Sequence, residues 1–230
     1  MPIHFKLSSD QKAETEEERR EMELIPYSNI VGSLMYLMIC TRPDIAHAIS
    51  TTSRYMAGFS RQHWNALKWS LRYLGGASKL GILFSGGGEV EEEPLVGYCD
   101  SDYASSIDTR RSQTGYIFTL FGSAICWKSS LQSVVALSTT EAEYMSLTSA
   151  VKESKWLLGL VSEFGVVQEG VTVFCDNSGA ICLAKHKMFH ERSKHIDVRL
   201  HFIRDEVESG RVRVKKIDTA HNPLICLQSL

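Results

Sequence analysis

The chain has 230 residues, with 25 Lys plus Arg against 27 Asp plus Glu, a formal net charge of −2, and 43% hydrophobic and 23% charged residues. That is too apolar for a disordered chain and long enough for one or two domains with buried cores. The near-neutral total excludes a protein that holds polynucleotides by bulk charge alone, while leaving room for a local basic surface. No apolar run approaches the ~20 residues that a membrane helix needs. The best, Ile30 to Cys40, stops at Thr41-Arg42-Pro43. The first 20 residues hold no apolar core of a secretory signal. The cysteines (Cys40, Cys99, Cys126, Cys175, Cys182, Cys226) form no CxxC pair, the pattern of reduced intracellular thiols.

In chain order, residues 1–23 are polar with a charge run from Glu14 to Glu23, which predicts a disordered tail or a solvated helix. From Tyr27 to about Leu74 apolar residues recur at helical spacing: Ile30, Leu34, Leu37 and Met38, then Ala46, Ile49, Ser53 and Met56 behind Pro43. A third stripe, Trp64, Leu67, Leu71 and Leu74, closes at Gly75-Gly76. Trp64, Trp69 and Trp156 are expected in cores. Leu80–Phe84 reads as a short strand, and Gly86-Gly87-Gly88 with the acidic run to Pro94 as a boundary.

Beyond it, Leu95–Cys99 is an apolar strand, Thr114–Phe121 and Ala124–Trp127 a hairpin around Gly122-Ser123, and Ser138 to about Phe164 a long helix closed by Gly165. Val171–Cys175 is a second buried strand, Ser178–Lys185 a short helix, Val198–Glu208 another closed by Gly210, and Val212–Ile217 a last strand. The order β-β-β-α-β-α-α-β predicts an α/β domain with a mixed sheet.

Asp100 and Asp176 each follow a buried strand, where ligands bind in α/β sheets, and Glu141 sits in the first turn of the long helix. Three carboxylates meeting at one spot repel unless a hard divalent cation neutralises them, which is the arrangement of metal-assisted phosphoryl chemistry. Each acid also has a purely structural explanation. Ser138-x-x-Glu141 is a capping box, Asp176-Asn177-Ser178 can cap the short helix, and Asp100 can be a loop acid.

The strings GYCDSDYASSIDTRRSQTGYIF, CWKSSLQSVVALSTTEAEYMSL and VFCDNSGAICLAKHKMFHERSKHIDVRLHFIRDEV resemble the ribonuclease H domain of copia-type LTR retrotransposon Pol polyproteins. PYSNIVGSLMYLMICTRPDIAHAIS, SRYMAG and HWNALKWSLRYLGG resemble the connection segment between reverse transcriptase and that domain. The resemblance covers about Pro26 to Pro223. It implies a ribonuclease H-like fold with a mixed five-stranded sheet flanked by helices, behind a small helical segment. The expected divisions are a tail over 1–23, the connection segment over 24–85, an acidic linker over 86–94 and the ribonuclease H-like domain over 95–230. It implies two magnesium ions, or manganese, held by Asp100, Glu141 and Asp176, and cleavage of the RNA strand of an RNA–DNA hybrid. The expected partners are that hybrid and the reverse transcriptase portion of the parent polyprotein, in a cytoplasmic particle or the nucleus, with no membrane. His195, in Lys-His-Ile-Asp, is placed near the reacting phosphate, and Arg110, Arg111, Ser112, Lys128, Asn177, Lys194 and Arg199 are candidate hybrid contacts.

The chain departs from this pattern after Asn222-Pro223. The family continues Ala-Asp-Met-Leu-Thr-Lys, whose Asp is a fourth metal acid; here Ile225 stands at that position, and an apolar side chain cannot hold a hard cation. The codons GCT GAT ATG CTT ACA AAG TCT TTA, read one base later, encode Leu-Ile-Cys-Leu-Gln-Ser-Leu, the observed tail. The expectation is a lost reading frame, a missing final helix and impaired hydrolysis, or a catalytically dead remnant that binds nucleic acid or protein. The basic stretch from Lys185 to Lys216 fits a phosphate-facing surface or a solvated face equally well. Zinc at His186 and His190 is disfavoured by the neighbouring Lys and Arg.

Overall fold

A computed structural model describes residues 5–11, 15–84, 93–185 and 197–224. The first part is helical: α1 (Glu16–Glu23), α2 (Tyr27–Cys40), α3 (Ala46–Thr52) and α4 (Arg61–Gly76). Thr15 caps α1 by accepting from the Glu18 amide at 3.2 Å. A 3-10 turn at Pro43–Ile45, with proline at its start, leads into α3. The apolar stripes of α2, α3 and α4 meet in a small core of Tyr27, Val31, Leu34, Ile45, Ile49 and Leu67. Tyr27 stacks on Phe59 with ring centroids 4.3 Å apart, and its hydroxyl donates to the Thr52 carbonyl at 2.9 Å.

The rest builds one sheet. Strands β1 (Leu95–Asp102), β2 (Gln113–Leu120), β3 (Ser123–Leu131), β4 (Val171–Cys175) and β5 (Val212–Lys216) lie in the order β3-β2-β1-β4-β5. β1, β2 and β3 pair antiparallel, whereas β4 joins β1 and β5 joins β4 in parallel. Helix α5 (Thr139–Glu163) packs on the sheet, with α6 (Ser178–Lys185) and α7 (Asp197–Glu208) beside it. Its end is a glycine cap: Gly165 has φ +82°, and the Val166 amide reaches back to the Val161 carbonyl at 3.1 Å. The core between helices and sheet includes Leu95, Phe118, Tyr144, Leu147, Val151, Val173 and Ile203, each fully buried. Burying a side chain of that size contributes about 1.5–3 kcal/mol. The strand order and helix placement are those of the expected ribonuclease H-like fold.

Several expectations are corrected. Leu80–Phe84 forms no strand; Leu80, Leu83 and Phe84 are exposed and find no pairing edge. Trp69 and Trp156 are exposed at 44% and 60%; Trp64 packs against the helical core, and Trp69 meets only the edge of Phe5, with ring centroids 6.3 Å apart. The polar N-terminus is not a free tail in its described residues. Phe5 and Leu7 join Tyr55 and Ala66 in a satellite core, and the Ser8 hydroxyl donates to Asp108 at 2.7 Å.

The helical part docks on the sheet through α3 against β3. Gln113 on β2 is buried there, donating to the hydroxyls of Ser50 at 2.8 Å and Ser129 at 2.9 Å and accepting from Arg54. The Trp127 indole donates to the Met38 carbonyl at 2.9 Å. Among the described residues, no single helix is long and apolar enough to cross a membrane.

Candidate metal centre

β1 and β4 run parallel in the middle of the sheet, with Cys99 opposite Cys175. Asp100 and Asp176 are the next residues on each, so both acids emerge at the same end. Helix α5 crosses over that end. The Ser146 hydroxyl donates to the Asp100 carbonyl at 2.6 Å and to the Gly115 carbonyl at 3.1 Å, which fixes the helix against the strand. One turn toward its N-terminus, on the same stripe, lies Glu143. The Ser101 amide donates to Glu143 Oε1 at 3.1 Å, while Oε2 is buried with no protein partner.

Glu143, Cys175 and Asp176 each offer one ligand atom, all within 4.8 Å of one another, the group of this kind among the described residues. Asp100 is 9% exposed and close enough to act on Glu143. Burial first, then the charges of Asp100, Cys175 and Asp176, push the Glu143 carboxyl up to about 10 against a small opposing pull from the Ser101 amide. A buried acid among acids, with one oxygen left over, is the donor set that a divalent cation satisfies. The Thr219 hydroxyl donates to Asp176 Oδ2 at 2.9 Å and orients that carboxylate. The Asn222 side chain donates to the Cys99 carbonyl at 3.2 Å and ties the C-terminal segment to the strand end.

Of the expected acids, Asp100 and Asp176 converge and Glu141 does not join them. Its Oε2 accepts from the Leu137 amide at 2.9 Å, and its own amide donates to Ser138 Oγ at 3.1 Å, the capping arrangement. The acid that faces the strand ends is Glu143, two residues on. Helical spacing held the signal: Glu143 falls in one stripe with Ser146, Leu147 and Ala150, all turned to the sheet.

The expected hybrid contacts divide. Arg110 and Lys128 are exposed and Arg111 is half-buried. Ser112 is fully buried, its hydroxyl accepting from the Ala104 amide at 3.0 Å, which removes it as a surface contact. Asn177 caps α6 by accepting from the Ala180 amide at 3.0 Å. Lys194 and His195 lie outside the described residues, as do His186, His190 and Ile225, and Arg199 is placed only as a residue of α7. Much of the described basic stretch is engaged internally. Arg211 pairs with Glu206 at 2.6 Å, Arg213 and Lys215 with Glu93 at 3.4 and 3.3 Å, and Arg204 donates to the Leu183 carbonyl at 3.1 Å.

No family model matches the chain. It is 49% identical over 220 residues, 96% of its length, to the retrovirus-related Pol polyprotein from the Nicotiana tabacum transposon TNT 1-94. It is 41% identical over 194 residues, 84% of its length, to the corresponding polyprotein from the Arabidopsis thaliana transposon RE2. The chain spans only 16% and 13% of those two relatives. A shorter relative, the secreted RxLR effector protein 161 of Plasmopara viticola, is 44% identical over 136 residues, which are 94% of that protein. Among solved structures, LC11-RNase H1 from compost aligns over 58% of this chain and 89% of its own at 14% identity, with a TM-score of 0.43. The foamy viral protease-reverse transcriptase in complex with an RNA/DNA hybrid aligns over 89% of this chain and 27% of its own at 14% identity, with a TM-score of 0.47.

Proposed function

Because the chain belongs to the retrovirus-related Pol polyproteins of copia-type transposons, we propose that its sheet-bearing part is a ribonuclease H domain acting on the RNA strand of an RNA–DNA hybrid. The observation that carries this reading is the buried, unpartnered oxygen of Glu143 beside Asp100 and Asp176. Asp100, Glu143 and Asp176 would hold divalent cations, magnesium or manganese, with Glu143 in the role first expected of Glu141. Once bound, the cations would activate water as the nucleophile and stabilise the departing oxygen. The protein's own part is positional. Ser101 fixes one Glu143 oxygen, Thr219 fixes Asp176, and Ser146 holds the helix to the strand. Exposed Arg110 and Lys128 supply positive charge for hybrid phosphates.

Turnover is expected to be weak, because Ile225 stands where the family has its fourth acid. The same residue favours a second reading, a remnant that binds nucleic acid or protein without cleaving. The parent polyprotein's reverse transcriptase is the proposed partner, in a cytoplasmic particle or the nucleus. A labelled RNA–DNA hybrid incubated with magnesium or manganese decides between the readings. Cation-dependent RNA cleavage that disappears in Asp100→Asn supports the hydrolase. Hybrid binding without cation and without cleavage refutes it in favour of the remnant.

A further inference from the structure

The donor set at the strand ends is not all oxygen. The Cys175 sulfur lies within 4.8 Å of the ligand oxygens of Glu143 and Asp176. Magnesium-class ions choose oxygen alone, whereas a thiolate selects ions of the zinc class. We propose that Cys175 makes this centre a site for a thiophilic divalent cation, which sits there in place of the hard cation and keeps the centre idle.

A second observation points to a ligand. Glu143 is 7% exposed, and its Oε2 is buried without a protein partner beside that sulfur. Cys175 is fully buried, and ligation would exchange its contact with the neighbouring Cys99 thiol for a metal bond. Its sulfur has only long contacts to the Asn177 amide at 3.5 Å and the Asn177 carbonyl at 3.9 Å, besides the Cys99 thiol. Zinc bonds to sulfur and oxygen run about 2.0–2.3 Å, so neighbouring ligand atoms of one ion lie roughly 3.3–3.8 Å apart, within reach of small side-chain rotations here. On binding, the thiol loses its proton to solvent and the sulfur lone pair forms the metal bond; no electron is transferred. This inference rests on the proposed cation centre but needs no hydrolysis.

The test uses the full chain with exposed Cys40 and Cys182, and Cys226, replaced by serine. Cadmium is titrated in, and the sulfur-to-cadmium charge-transfer absorption is followed. The expected result is a band that saturates with a single ion, is suppressed by zinc, is lost in Cys175→Ser and needs more cadmium in Glu143→Gln. A band that persists in folded Cys175→Ser, or the absence of a band, overturns the proposal. If Cys175→Ser fails to melt cooperatively, Glu143→Gln decides: unchanged cadmium affinity overturns the proposal too. A hybrid-cleavage assay on the same protein separates the two ideas. Cleavage by the chelator-treated protein in magnesium that added cadmium or zinc leaves unchanged sinks this inference alone, and a band with no cleavage even after chelator treatment and magnesium loading sinks the hydrolase reading alone.

Discussion

The Ser101 amide holds Glu143 by one oxygen at 3.1 Å, and Glu141, two residues earlier on the same helix, is held by the Leu137 amide at 2.9 Å. The two acids are therefore separable by mutation. Glu143→Gln is expected to abolish cation-dependent cleavage and the stabilisation that magnesium gives to the thermal melt. Glu141→Gln keeps both, and because a glutamine oxygen still accepts from the Leu137 amide, stability changes by less than about 0.5 kcal/mol. Parallel cleavage and melting measurements check this. Cleavage lost in Glu141→Gln but kept in Glu143→Gln reverses the assignment.

The acid centre carries a pH signature. An ordinary glutamate in the unfolded chain titrates near 4.5, and Glu143 in the fold is pushed up to about 10. Between those values the folded state keeps a proton that the unfolded state has released. Its contribution to stability is therefore present at low pH and falls as pH rises through that window. Melting without divalent cation from about pH 5 to about pH 9 should show Glu143→Gln gaining steadily on the wild type. Magnesium should narrow the gap at the alkaline end by replacing the proton. A constant difference across pH refutes the buried, protonated Glu143.

Gly97 on β1 faces Phe118 on β2, and an added Cβ would overlap the buried Phe118 ring. Phe118 is fully buried in the main core and has nowhere to retreat. Gly97→Ala should cost about 1–3 kcal/mol by overpacking, read as a lower denaturant midpoint. The Gly32→Ala control, where nothing lies within 4 Å of an added Cβ, should not lower it.

The junction between helices and sheet depends on Gln113. Its side chain serves Ser50, Ser129 and Arg54 together. Gln113→Ala leaves those partners unsatisfied, at about 1–3 kcal/mol. Limited proteolysis should cut the helical part sooner, and Trp127 fluorescence should shift as its bond to Met38 loosens. Unchanged proteolysis would mean that the junction does not depend on this network.

Ile225→Asp restores the family's acid without altering the rest of the tail. Cleavage should rise by about 10–100-fold, the usual scale for regaining a group that tunes a metal site. Ile225→Asn, equal in size and uncharged, should not do so. Equal rates for the two variants would show that the missing charge does not limit turnover.

Nearly every element from Leu95 to Lys216 was legible in the sequence to within a few residues, because alternation, apolar runs and glycine stops agree there. Leu80–Phe84 misled because an apolar run signals burial only where a partner edge exists. Trp69 and Trp156 misled in a related way: Trp156 is exposed on its helix, and Trp69 reaches only the edge of Phe5 in the satellite core. The stretch Thr140-Glu141-Ala142-Glu143-Tyr144 holds two glutamates and the family resemblance points to the first, although its spacing from Ser138 already offers Glu141 a capping role. The choice needed the helix phase against the sheet, which Ser146 reveals. The docking of residues 5–9 on Tyr55 and Asp108 was not legible at all, since it joins positions 48 and 100 residues apart.

The bond from Ser8 to Asp108 gives the molecule a redundant hinge pin. The helical part is fastened to the sheet through its own leading segment, through Gln113 and through Trp127, as well as by the peptide chain at residues 84–93. Those three fastenings are spread along the junction and share no side chain. A peptide bond broken at residues 84–93 would therefore leave two fragments that still travel as one particle, with the acid centre intact in the larger.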